Sequence, residues 1–214
     1  MDSNIEVALS KVQNDVEEME RILENYLTVN PNWIEGWLRL GVLVFEPPLV
    51  DYEKSFACLE KAIQIEPTHI NANVILAFMQ SVTMEIQEDL FKNIKQIHTN
   101  NHEWKSMLQL VQAWYYAQEK NWVLFEKMLL HSIDSYSNHV QNYVSLGIYY
   151  IDIGRIDEGK ALLDKSIKNV KKIYSDNDSI LDRCDPEEFI NERIKGIHKT
   201  DILVNAIKNR INKE

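Results

Sequence analysis

The stretch Tyr143-Val144-Ser145-Leu146-Gly147-Ile148-Tyr149-Tyr150 decides the fold, because its pattern of large and small residues recurs along the chain. The pattern returns 34 residues earlier, and it returns twice more in steps of 36 residues. The equivalent positions are Gln109, Gln112, Ala113 and Tyr116, then Asn73, Leu76 and Ala77, and then Trp37, Leu40 and Gly41. A fixed period of about this length is typical of an array of stacked helix pairs.

These residues resemble the signature of the tetratricopeptide repeat (TPR), W-x2-L-G-x2-Y followed by A-x3-F and P. The resemblance is strongest in the copies that begin at Trp37 and Tyr143, although the first of these carries two extra residues around Pro47 and Pro48. The third copy lacks the closing proline. The second copy matches only in its first helix, since the small residue and the proline of its second helix are missing.

The resemblance implies an all-α fold, an α-solenoid of stacked antiparallel helix pairs (a TPR-like superhelix) with capping helices at both ends. We expect a single domain over residues 1–214. The predicted bounds are about 4–29 for an N-terminal helix, about 34–67, 70–102, 106–137 and 140–172 for the repeats, and about 180–214 for the C-terminal capping helices.

The small residues of the signature have a physical role in this prediction. Gly41, Ala77, Ala113 and Gly147 would let the second helix of each pair approach the first, while leucines fill the space between the pairs. A single pair cannot bury its apolar face alone, so the stack is the stable unit.

Both ends of the chain carry helix signals. Ser3 and Glu6 form a capping box for one N-terminal helix, whose apolar residues have helical spacing: Ile5, Ala8, Val12, Val16, Met19 and Leu23. Near the other end, Asp185 and Pro186 predict a helix start, and a last helix is expected from Thr200 or Asp201 to about Asn212. We expect these C-terminal helices to dock on the last repeat and to bury Leu163.

The charge and the composition exclude several classes of protein. The net charge is -10 at pH 7, which argues against binding to nucleic acid and permits a basic partner. No apolar run approaches the roughly 20 residues of a membrane span, and the N-terminus lacks a basic start with an apolar core. Two cysteines give no disulfide framework. We therefore expect a cytoplasmic protein.

Motifs that could carry chemistry are better explained by the repeats. Gly154, Gly159 and Lys160 have the spacing of a phosphate loop, but Ala161 replaces the magnesium-binding hydroxyl and the segment joins two helices. His98 and His102 are four residues apart with turn-forming residues between them, and no further zinc ligand is evident. Without a nucleophile beside its base, we expect no enzyme, and no metal or other cofactor.

The resemblance places a binding site on the first helices, which line the inner groove in this family. The residues predicted to contact a partner are Leu38, Val42, Phe45, Val74, Phe78, Leu110, Trp114, Val144, Ile148 and Asp152. Phe78 and Trp114 are the expected anchors, about 10 Å apart. Family members that clamp a C-terminal carboxylate carry Lys and Asn in these rows, so that clamp is not expected here. Two alternatives remain: the rows belong to the array's own core, or the C-terminal helices cover them.

These observations lead to one functional hypothesis with two alternatives. The chain is predicted to be a non-enzymatic scaffold whose apolar groove, with acidic rims at Glu35, Glu46 and Asp152, binds an amphipathic helix or an apolar peptide. One alternative is an acidic inhibitor or immunity protein that neutralises a basic toxin or nuclease. The other is a regulator that responds to a signalling peptide.

Overall fold

The computed structural model describes residues 3–12, 15–173, 184–194 and 200–213, and throughout these ranges the regular structure is helical. The chain divides into two compact units, although the sequence predicts a single domain. Unit 1 comprises Met1–Leu76 and Ile180–Ile190, and unit 2 comprises Ala77–Ser179 and Asn191–Glu214. The boundary falls within a helix of the second repeat, whose second-helix signature is missing.

Unit 1 contains the first repeat and both of the helices that precede it. Its helices are α1 (Ser3–Ser10), α2 (Val16–Val29), α3 (Ile34–Phe45), α4 (Tyr52–Ile65), the beginning of α5 (Ile70–Thr83), and α11 (Pro186–Phe189). α3 and α4 form the predicted helix pair. The start of α11 is also as predicted, because the Asp185 side chain accepts hydrogen bonds from the backbone N–H groups of Glu187 and Glu188.

The single N-terminal helix predicted over about residues 4–29 is wrong, since α1 and α2 are separate helices. The break follows from competition between local signals. Asp15 caps α2 by accepting a hydrogen bond from the backbone N–H of Glu18. Glu6, predicted to belong to a capping box, instead accepts a hydrogen bond from the Arg39 guanidinium at 3.2 Å.

Unit 2 contains the remaining repeats and the C-terminal helix. Its helices are the end of α5, α6 (Glu88–Gln96), α7 (His102–Gln118), α8 (Trp122–Ser135), α9 (Val140–Asp152), α10 (Ile156–Ile173) and α12 (Thr200–Lys213). A short π-helical turn, Ile190–Ile194, spans the boundary between the units. The pairs α7/α8 and α9/α10 are the predicted third and fourth repeats.

The small signature residues lie at close helix contacts, as predicted. A Cβ atom on Gly41 would lie 3.1 Å from Leu59 Cγ, and one on Gly147 would lie 3.0 Å from the carbonyl oxygen of Gly159. At the first contact the Ser55 hydroxyl also donates to the Gly41 carbonyl oxygen at 2.8 Å. Gly41 therefore makes room for the Leu59 side chain of α4, and Gly147 lets the backbones of α9 and α10 come into contact.

The first signature position has a second role that the sequence does not reveal. In three of the four repeats its side chain donates a hydrogen bond to the carbonyl oxygen six residues earlier: Trp37 to Pro31 at 2.8 Å, Asn73 to Pro67 at 2.9 Å, and Tyr143 to Ser137 at 2.8 Å. Gln109 departs from this rule, since its amide nitrogen donates to the carbonyl oxygens of Lys105 and His131. These bonds hold the turn before each first helix.

The second repeat is irregular where its signature is missing. α6 has 9 residues, whereas the second helices α4, α8 and α10 have 14, 14 and 18. It packs on α7, where the Phe91 ring stacks on Tyr115 with a centroid distance of 3.7 Å. The irregular helix therefore coincides with the part of this repeat in which the family signature is missing.

The predicted docking of the C-terminal helices on the last repeat is confirmed for α12 and wrong for α11, which packs on α3 of unit 1 through Phe189 and Phe45. Leu163 of α10 is buried in one apolar cluster with other residues of α9, α10 and α12: Val140, Ile151, Ile167, Val170, Val204 and Ile207. Ala206 of α12 is exposed. The side chain of Ile202 and all of Ile197 lie outside the described residues.

Candidate partner-binding faces

In unit 1, the predicted binding residues lie on α3 and α5, and most of them are buried. Leu38 and Val74 are 0% exposed and Val42 is 1% exposed, which leaves them no surface to offer a partner in this conformation. Phe45 is half-buried. Its ring centroid lies 5.9 Å from that of Phe189 in an edge-to-face arrangement. The C-terminal segment of the chain thus contacts the first-helix face of unit 1.

In unit 2, the predicted anchors form one aromatic contact. Phe78 of α5 and Trp114 of α7 are half-buried, and their ring centroids are 6.0 Å apart with the planes tilted by 56°. The predicted separation of about 10 Å is too long, because the two rings lean towards each other into the usual range for aromatic pairs. We call Phe78 and Trp114 the aromatic pair. Leu110, one turn before Trp114, is 0% exposed.

The remaining predicted residues lie on α9, next to the C-terminal helix. Val144 and Ile148 are half-buried and pack against the cluster that Val204 and Ile207 of α12 complete. Asp152 is exposed, and its carboxylate accepts a hydrogen bond from Arg210 of α12 at 2.7 Å. The C-terminal helix α12 thus covers the predicted groove residues of α9, which is one of the two alternatives left open by the sequence.

Ion pairs neutralise the predicted rim carboxylates of Asp152 and Glu35. Besides Asp152, Glu35 is paired with Arg39 at 3.2 Å, and Arg39 is only 6% exposed. Burial favours a lower pKa for Arg39, but the charges of Cys184, Glu6 and Glu35 outweigh this effect and raise the pKa overall. The spacing of Glu35 and Arg39, four residues on one helix, is a signal that could have identified the pair.

The segment that resembles a phosphate loop has a structural role. It forms the turn between α9 and α10 and the beginning of α10, and no strand precedes it. Arg155 donates to the carboxylates of Glu126, at 2.9 Å, and Glu158, at 2.6 Å, and its guanidinium lies over the Tyr150 ring. Burial and the hydrogen bond that Tyr150 donates to Glu126 raise the pKa of this phenol to about 12. The polar groups of this turn thus bind one another.

The structure brings together one serine and histidine pair that the sequence analysis missed. Ser106 Oγ lies 3.1 Å from His139 Nδ1 and 2.8 Å from Ser132 Oγ, and it accepts a hydrogen bond from Asn142. Residues 33 positions apart give no local signal in the sequence. Ser106 is 0% and His139 is 2% exposed, so a substrate cannot reach this network in the described conformation.

The described residues include His98 and His102, whose spacing would suit two zinc ligands on one helix. In the described ranges, no three His, Cys, Asp or Glu side chains are placed to hold a metal ion. His98 lies in the loop before α7, and His102 is the first residue of that helix. Over the same part of the chain, no helix has both the length and the apolar character needed to cross a bilayer.

Comparisons with known proteins identify the fold. No protein-family model matches the sequence, and no curated protein matches it either. Among solved structures, the chain is similar to PilW, described as a widely conserved type IV pilus biogenesis factor, with a TM-score of 0.65, 10% identity, and coverage of 100% of this chain and 94% of that chain.

The structure of MamA is also similar, with a TM-score of 0.58, 19% identity, and coverage of 76% of this chain and 92% of that chain. A MamA double mutant gives a TM-score of 0.61, 13% identity, and coverage of 82% and 99%. At these identities the comparisons show the fold. Together with the helix pairs described above, they identify an all-α helical repeat, and the fold is that of the TPR-like proteins.

Proposed function

We propose that the chain is a non-enzymatic scaffold that binds a protein segment on the first-helix face of unit 2. The observation that carries this proposal is the aromatic pair, two half-buried rings from successive first helices that are in contact. Aromatic side chains with part of their surface accessible are typical anchors at protein interfaces. The buried residues Leu38, Val42, Val74 and Leu110 act as the support beneath such faces and not as contacts.

A contact within unit 1 supports the proposal that an aromatic side chain of a partner can pack on a first helix. There, Phe189 of α11 lies edge-on against Phe45 of α3, which is a predicted groove residue. This shows how an aromatic side chain of a short helical segment packs on a first helix of the array. The proposed partner segment would offer an apolar or aromatic side chain to the aromatic pair in the same way, which is the usual mode for a helix bound in a groove.

The two cysteines support a cytoplasmic location within the proposal. Cys58 and Cys184 are both thiols and belong to one buried cluster of unit 1. Burial raises the pKa of Cys58 to about 12, so its thiolate is scarce at neutral pH. Free thiols persist in reducing compartments, whereas secreted domains usually use cysteines in disulfides. The net charge of -10 favours a protein partner over a nucleic acid.

The test is to place a charge on the aromatic pair. Phe78→Asp and Trp114→Asp should each weaken partner binding by about 30-fold or more, since an uncompensated carboxylate under an apolar contact costs at least about 2 kcal/mol. Val123→Asp is the matched control, because Val123 is 79% exposed on α8. The partner would be captured from the native cell with the wild-type chain, identified by mass spectrometry, and then measured by titration against every variant.

The outcomes separate the possibilities. Native helicity with lost binding in both aspartate variants, and unchanged binding in the control, would support the proposal. Unfolding of both variants would assign the rings to the core, and Trp114→Ala would then measure their binding role without a charge. If the folded variants bind like the wild type, the partner uses another face.

The second candidate is the acidic inhibitor, which the net charge of -10 favours. An inhibitor of a basic toxin or nuclease would associate rapidly and with sub-nanomolar affinity, and added salt would slow its association steeply. A scaffold that relies on the aromatic pair would show a weak salt dependence. Measuring the association rate over a range of ionic strengths distinguishes the two.

A further inference from the structure

A pocket in unit 2 lies where the array departs from its own repeat. α6 ends at Gln96, whereas the second helices of the other repeats are longer by five residues or more. The loop that follows α6 and one face of α7 line an open pocket of about 530 Å3. Gln109, the signature residue that does not bind its preceding turn, is part of the lining. The pocket thus results from the shortened helix.

The rim of this pocket is basic in an acidic protein. Lys95 from the end of α6, His98 from the loop and Lys105 from α7 line it, and no Asp or Glu is among the lining residues. In the described part of the chain, neither lysine is ion-paired, whereas Lys54 and Lys92 each pair with two carboxylates. The Nζ atom of Lys95 also lies over the Phe91 ring, 5.4 Å from the ring centroid. Two lysines that line one pocket whose lining holds no carboxylate favour an anionic ligand.

Part of the lining of this pocket is apolar. Ile97 and Leu108 are 7% and 4% exposed and contribute to the lining. The amides of Asn100 and Gln112 add hydrogen-bonding groups. A volume of about 530 Å3 lies within the range of small-molecule sites, roughly 300–1,000 Å3. Apolar side chains combined with a few polar groups are common in the lining of such sites.

We propose that this pocket binds a small organic anion, whose carboxylate or phosphate lies between Lys95 and Lys105 while its apolar body contacts Leu108. The site is separate from the aromatic pair and does not depend on the function proposed above. Lysine side chains on a carboxylate or phosphate form charge-assisted hydrogen bonds, which are the stronger kind.

The experiment follows backbone amide resonances of the 15N-labelled full chain by NMR during titrations at constant ionic strength. The probes are benzoate, phenyl phosphate and inorganic phosphate. We expect saturable shifts confined to residues 95–112 with benzoate or phenyl phosphate, and the better of these two identifies the acidic group. Lys95→Gln and Lys105→Gln should each weaken binding about tenfold, and the double variant should abolish it. Lys127→Gln, an exposed lysine on α8, should leave binding unchanged.

Two results would overturn the proposal. One is shifts that stay unsaturated or spread over many surface lysines, as for a weak general attraction to anions. The other is equal binding by the wild type and the double variant. If inorganic phosphate binds as tightly as phenyl phosphate, the assigned contact between an apolar body and Leu108 is wrong. The amide spectrum itself reports whether each variant remains folded.

Discussion

Gly159 of α10 lies so close to α9 that an alanine there should push the two helices apart. A Cβ atom at Gly159 would lie 2.6 Å from the carbonyl oxygen of Gly147 and 2.6 Å from Ile151 Cγ1. Attractive contacts between such atoms lie at about 3.5–4.0 Å. The oxygen belongs to a helical backbone and cannot rotate away, so α9 must move by roughly 1 Å.

The size of the effect follows from two opposing terms. Alanine in a helix is more favourable than glycine by about 0.8–1.0 kcal/mol. Overpacking costs about 1–3 kcal/mol, and the upper end applies here because the clash involves backbone atoms and separates the cluster around Leu163. The net loss of stability should therefore be about 1.5–2 kcal/mol. For a chain of this size the melting temperature should fall by about 3–8 °C.

The assay is thermal and urea unfolding, followed by circular dichroism and tryptophan fluorescence, with two further glycine variants as a graded series. Gly147→Ala should lose less than Gly159→Ala, since its Cβ atom would lie 3.0 Å from both the Gly159 oxygen and Leu163. Gly41→Ala should be close to neutral, because its nearest neighbour is a side-chain atom of Leu59 at 3.1 Å that can shift. A Gly159→Ala protein as stable as the wild type would refute the close backbone contact.

Two other predictions concern α12 and the pH dependence of stability. Ile207→Ala, on the buried face of α12, should lower the free energy of unfolding by about 2–4 kcal/mol. The control Asn209→Ala, at an exposed position, should change it by less than about 0.5 kcal/mol, and equal stability of the two variants would show that α12 does not pack on the last repeat. Tyr150→Phe should cost about 1 kcal/mol at neutral pH through the lost bond to Glu126. The pKa of Tyr150 is raised from 10.0 to about 12, so its stabilisation is complete below pH 10 and disappears as the pH rises to about 12. The difference from the wild type in urea unfolding should shrink over that range, and a constant difference would contradict this.

The repeats could be predicted because each signature residue is tied to a contact inside its own helix pair. Gly41 and Gly147 mark close contacts between the two helices of a pair, and the period places the other repeats between them. The break between α1 and α2 could not be predicted from the same pattern, because the apolar spacing runs through it while Asp15 caps a new helix. A capping residue can end one helix and begin another when two separate helices bury the same apolar residues as one continuous helix would.

The binding faces were harder to predict for a geometric reason. A first helix in the array packs on its own second helix and on its neighbours, so it is apolar on several sides. Leu110 and Trp114 lie one helical turn apart on α7, yet Leu110 is 0% exposed and Trp114 is half-buried. Helical periodicity gives the side of a helix but not what covers that side.

The net charge of the whole chain likewise does not predict the charge of a single site. The net charge of -10 suggests a basic partner, but Arg210 neutralises Asp152 from 58 residues away, and Lys95 and Lys105 line a pocket without a carboxylate. At physiological salt, charges separated by more than about 8 Å are largely screened from one another. The net charge can therefore steer a distant partner only weakly, whereas the groups within a few ångströms decide what binds. An acidic protein can for this reason present an anion site, and the ligand of that pocket need not share the charge preference of the partner that approaches the aromatic pair.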